Sequence, residues 1–156
     1  MQVFVVNVGV NSNDAAKRGL RSPVFPDGTF EFVPITERSD LISAAGIPTY
    51  ADLSSHTRRV RNLGELVPEA MRTRRVHADP EFETYTYGDI LSPRAANLKH
   101  VRSGDLVWFL SRLWHHDGRR WSRESDFYLI GFLDVQQNIL VPDGGGQEVI
   151  HLRRLR

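Results

Sequence analysis

"GDLVWFLSRLWHHDGRRWSRESDFYLIGFLDV", residues 104–135, carries two long apolar runs separated by a polar link. Leucine, valine, tryptophan and phenylalanine crowd 106–114, and a second run rich in aromatic and branched residues fills 127–135. Each run is too short for a bilayer, which needs roughly 20 apolar residues. Each is rich in side chains that favour strands, so both are predicted as buried strands, paired at the centre of a sheet. Gly104 permits the tight turn that opens the first, and Asp105 can accept hydrogen bonds from nearby backbone amides. "GRRW" reads as part of the loop between them.

Outward from this pair, "QVFVVNVGV" (2–10) predicts a first strand buried on both faces, followed by a polar loop through residue 22. In "PVFPDGTFEFVPI" (23–35) the turn residues "PDGT" predict a hairpin, with Phe30 and Phe32 on one face and Glu31 on the other. A short helix is expected over 36–46, capped by Thr or Ser and closed by Gly46. Residues 62–75 space Leu63, Leu66, Val67, Ala70 and Met71 as a helix would, although Pro68 interrupts them. A brief helix follows Pro93, and 136–156 hold a last strand or hairpin with a glycine tip. Strands and short helices without a βαβ rhythm predict an α+β fold, mostly antiparallel and possibly curled into a small barrel. Its 156 residues are expected to form a single domain.

The composition narrows function by exclusion. There is no cysteine, so disulfides, thiolate metal sites and cysteine nucleophiles fall away. The first residues lack the basic region and cleavage site of a signal peptide, and the reading is a soluble cytoplasmic protein without a membrane partner. The net charge of +1 argues against a nonspecific DNA coat. Of 20 basic residues only Lys17 and Lys99 are lysine; the rest are arginine, whose planar fork suits phosphates and base edges.

The chemistry concentrates in "HADPEFETYTYGDI", residues 77–90, with four carboxylates, two tyrosines and a histidine. Read in alternation, Glu81 and Glu83 form the solvated face of a strand. Asp79 and Asp89 sit instead beside Pro80 and Gly88 in turn positions. Tyr85 and Tyr87 fall on one side, where rings can stack an unpaired base. Asp79, Asp89 and His77 are therefore the acid–base candidates. Further binding candidates are Asn11, Ser12 and Ser22 in the loop after the first strand, with Arg94, Arg74 and Arg75 as phosphate contacts. A second basic-aromatic group joins Arg119, Arg120 and Arg123 to Trp121. The adjacent His115 and His116 point to opposite faces of a strand and do not predict a chelate. His77 and Asp79 lack a visible third ligand, so no metal site is predicted, and the cofactor is left unknown. With only two lysines, the carboxylates Asp27 and Glu31 lack the lysine spacing of a nuclease.

Three pieces occur in one order: "NVGVNSNDAAKRGLRSPVFPDGTFEFVPI", then "DPEFETYTYGD", then "ANLKHVRSGDLVWFLSRL" with "FYLIGFLDV". Together they resemble the nucleotide-modification-associated domain 3 family, which bacteria and phages encode beside DNA base-modification systems. The resemblance implies a role around modified nucleotides or nucleic acid. It also implies a chain continuing beyond "IHLRRLR"; without a further catalytic element such a chain would bind only. The expected function is recognition or processing of a nucleotide or modified base, as a binding module of a DNA-modification system. The alternatives are an enzyme using carboxylate or histidine acid–base chemistry and a protein–protein accessory module.

Overall fold

The computed structural model describes residues 1–10, 19–37, 47–77, 79–91, 95–142 and 148–154, without the side chains of Ile90, Glu148 and Val149. Of these residues 46% lie in strands, and none lies in a helix of seven residues or more. This corrects the expected α+β class: the fold is mostly β. It also corrects the sheet, which pairs strands in both senses and closes into no barrel among the described residues. The chain divides into two compact units, one of residues 1–8, 79–110 and 129–156, the other of 9–78 and 111–128.

The expected central strand pair is formed. Strand β6 (Leu106–His116) turns at 117–120 into β7 (Trp121–Asp134), and the two pair. Trp121 already begins the second strand, so the polar link is mostly strand rather than loop.

In the first unit β1 (Val3–Asn7) runs parallel to the first half of β6, from Val3 opposite Leu106 to Asn7 opposite Leu110. Asp105 fixes this start. Its carboxylate accepts the Gln2 amide at 2.7 Å and the Arg102 amide at 2.9 Å. These two bonds, the Gln2 one foremost, hold its pKa below the ordinary range. The Gly104 amide donates to the Val135 carbonyl at 2.8 Å, tying in the end of β7. Val107 and Phe109 are buried on one face. On the other, Val3 and Val5 stay 57% and 60% exposed, and Trp108 meets the ring of Phe132 at 5.1 Å. The first strand is thus exposed on one face and only half-buried on the other, at Phe4 and Val6. An unbroken apolar run does not say which of its two faces will be covered. The same unit holds an antiparallel sheet of β5 (Thr86–Ile90), β9 (Glu148–Arg153) and β8 (Gln137–Pro142), in that order.

In the second unit β2 (Ser22–Val24) runs parallel to the far half of β6, Ser22 opposite Leu113. The expected hairpin is present. Phe25 donates its amide to Thr29 at 2.8 Å, Gly28 has φ +82, and Val24 bridges Phe30. β3 (Ile35–Thr36) and β4 (Val76–His77) form a short antiparallel pair. Val10, Leu20, Val33, Tyr50, Leu63, Leu66, Val67, Val76 and Trp114 pack as the core. The helix expected over 62–75 is only two 3₁₀ turns, Leu63–Glu65 and Glu69–Met71. Pro68 sits extended between them (ψ 147), because a proline cannot donate into a continuing helix. The helix after Pro93 is likewise one 3₁₀ turn, Ala96–His100, in the first unit. The helix expected over 36–46 lies outside the described residues except at Thr36 and Glu37.

Candidate functional site

The acidic-aromatic stretch is a hairpin, not one strand. Glu81 and Thr86 exchange both backbone hydrogen bonds, at 3.0 and 3.2 Å, so 82–85 form the turn. Tyr85 closes it with φ +56, a conformation rarely adopted by residues other than glycine. Its ring is 40% exposed, with the Arg154 guanidinium 5.6 Å from the centroid. Phe82 folds inward, edge-on to Phe109 at 5.8 Å.

Beyond this turn the hairpin sets Asp79 opposite Gly88, and the ladder with β9 sets His151 on Gly88's other side. The Gly88 amide donates to Asp79 Oδ1 at 3.3 Å. A Cβ built on Gly88 would lie 3.4 Å from Asp79 Oδ2 and 3.3 Å from His151 Nδ1. Carboxylate and imidazole therefore flank one side-chain-free spot on the sheet. The exposed Ile139 of β8 stands opposite His151 and borders it.

Successive residues of a strand alternate sides, so Tyr87 and Asp89 face away from that spot. Tyr87 is 5% exposed and packs on Phe109 at 5.4 Å. Its hydroxyl donates to Asp89 Oδ2 at 2.7 Å. Burial first, then the Asp89 and Asp79 charges, push the phenol pKa far above its ordinary value, so it remains a donor.

The other expected residues are dispersed. His77 belongs to the second unit, where its Nδ1 lies 2.9 Å from Glu37 Oε2. Ser22 is fully buried; its Oγ accepts the Val33 amide at 3.0 Å, which makes it a tie between segments. Arg74 and Arg75 are exposed in that unit. Asn11, Ser12 and Arg94 lie outside the described residues. No cluster of three metal-ligating side chains occurs among the described residues.

Two residues escaped the sequence reading as site members. His151 sits in the unremarkable run "VIHLRR", and only the β5–β9 register brings it to Asp79. Glu31, expected on the hairpin face opposite Phe30 and Phe32, is 1% exposed. Its carboxylate accepts the Thr57 amide at 2.8 Å, the His56 amide at 3.1 Å and the hydroxyls of Ser55 and Thr57. That knot fixes the loop carrying Arg58, Arg59 and Arg61.

A family model described as nucleotide modification associated domain 3 matches residues 2–154. The chain belongs to this family. The match spans both compact units and every candidate residue named above. A role in nucleotide modification is what the family's description carries to the chain. No curated protein and no solved structure matches it. No helix among the described residues of this family member is long and apolar enough to cross a membrane.

Proposed function

We propose that the chain is a cytoplasmic binding module that recognises a nucleotide or modified base in nucleic acid within a DNA-modification system. One observation carries this: Asp79 and His151 flank the bare backbone of Gly88, with the exposed Tyr85 and Arg154 in the same unit. A carboxylate accepts from an exocyclic amine or a sugar hydroxyl, and an imidazole supplies a complementary donor or acceptor. Tyr85 stacks the base and Arg154 meets phosphate. Asp89 and Tyr87 hold the strand from behind.

The test is binding of the full chain to matched plain and base-modified single strands. Tyr85→Ala is expected to weaken binding by about tenfold or more, as loss of one base–aromatic stack does. Asp79→Asn should narrow the gap between modified and plain strands. Tyr87→Phe should leave the affinity within a few-fold while costing about 0.5–1.5 kcal/mol of stability. Negligible affinity for both strands, indifferent to Tyr85→Ala, would sink the reading.

The Asp79–His151 pair also supports an enzyme acting on a base, with the two groups as acid and base. Conversion of a nucleotide substrate that stops in both Asp79→Asn and His151→Gln would favour it.

A further inference from the structure

The second unit contains a cleft of about 310 Å³ where the β2 strand meets the β6–β7 turn. Val24, Pro26 and Trp121 give it an apolar wall, and His115, His116, Asp117, Arg120 and Ser122 bring polar atoms to it. The turn is built to hold this arrangement. The Asp117 carboxylate accepts the amides of Arg119 and Arg120, both at 2.7 Å, and Gly118 takes φ +95. The Gly118 amide donates to His116 Nδ1 at 3.0 Å. A neutral His116 therefore carries its proton on Nε2. Its ring is locked edge-on between Phe25 at 5.6 Å and Trp121 at 4.7 Å.

The cations are arranged around aromatic rings. The Arg21 guanidinium lies 5.9 Å from the Trp121 centroid, and its Nε is buried with no hydrogen-bond partner. Arg59 lies 4.6 Å over Phe25 and pairs with Asp27. Asp117, the carboxylate nearest Arg120 in the chain, gives one oxygen to backbone amides, and its charge also acts with the Arg120 guanidinium. A ligand filling this cleft needs a flat part for the apolar wall and an anionic part for Arg120.

We propose that this cleft is a separate binding site for a planar base joined to a phosphate. The base lies against Trp121, Val24 and Pro26, His116 Nε2–H and the Ser122 hydroxyl meet its polar edge, and Arg120 takes the phosphate through its guanidinium fork. The volume lies at the small end of ligand pockets, suited to one nucleotide rather than two. The site rests on the geometry of the second unit and not on the role given to Asp79 and His151. Its ligand is either a free mononucleotide or one nucleotide of a single strand.

The experiment is a heteronuclear NMR titration of the full-length ¹⁵N-labelled chain with adenosine 5′-monophosphate, a short mixed-sequence single strand, and inorganic phosphate. The Trp121 indole N–H and the His116 ring are expected to shift with the nucleotide, the strand or both, and not with phosphate alone. Shifts with the mononucleotide identify a free nucleotide as sufficient; shifts with the strand alone identify the nucleic acid as the source. Arg120→Glu changes an exposed turn residue and should weaken the response about tenfold or more, with its amide spectrum otherwise overlaying the parent's. The proposal is overturned if Trp121 and His116 respond to neither nucleotide nor strand. It is equally overturned if phosphate alone reproduces the shifts, or if Arg120→Glu leaves the affinity unchanged. Because the readout is at residues 115–122, its failure is separable from failure at Tyr85, Asp79 and His151.

Discussion

Glu31 shows how a single residue sets the surroundings of a basic loop. Its buried carboxylate gathers two backbone amides and two hydroxyls, which satisfies its own lone pairs. Glu31→Gln keeps the shape but turns a pure acceptor into a part donor facing donors. It is expected to cost about 1.5–3 kcal/mol, read as a lower urea midpoint at unchanged slope. His116 gives a pH prediction. Burial pulls its pKa below the ordinary 6.5, so the unfolded chain binds more protons just below that value. Its contribution is complete above pH 6.5 and is lost as pH falls through the depressed folded value. Urea midpoints measured between about pH 7.5 and 5 should fall, and His116→Gln should flatten that decline. Legibility at this scale was uneven. Asp79 stood out because aspartate beside proline marks a turn, whereas His151 looked like any strand residue. Its meaning depends on a register with residues some sixty positions away, which no local pattern encodes.

Among the elements, turns were the most readable and helices the least. "PDGT" specified its hairpin through Gly28 and through Asp27, whose Oδ1 accepts the Thr29 amide and hydroxyl. The alternation in "DPEFETYTYGD" predicts a strand, yet Tyr85 enters the left-handed region and the chain reverses there. No residue type announces a tyrosine at positive φ; glycine or asparagine would have. Residues 62–75 had helical spacing, but Pro68 divides them, so spacing alone misled. Strand β7 carries the clearest element-scale test. A Cβ on Gly131 would stand 2.7 Å from Phe82 Cε1, and that ring is already packed against Phe109. Gly131→Ala should therefore destabilise the chain by about 1–3 kcal/mol, as overpacking does, measured by thermal or urea unfolding. Phe82→Leu in the same chain should recover part of the loss by vacating the contact.

For the whole molecule, the sequence correctly marked the centre: β6 and β7 pair, and β6 also takes β1 and β2 as partners. What it concealed was the sense of those pairings. Adjacent apolar runs suggest hairpins, while a parallel partner roughly a hundred residues distant leaves no local trace. A topology so dominated by distant pairing predicts slow refolding, on the order of milliseconds to seconds rather than microseconds, observable by stopped-flow tryptophan fluorescence. The parallel pairing of β1 with β6 also bears on biosynthesis. At about 5–20 residues per second, the ribosome needs on the order of 5–20 s after making Val3–Asn7 before Leu106–Leu110 exists to receive them. During that interval an apolar, valine-rich segment waits without its partner strand, which makes this nascent stretch a natural client for a ribosome-associated chaperone.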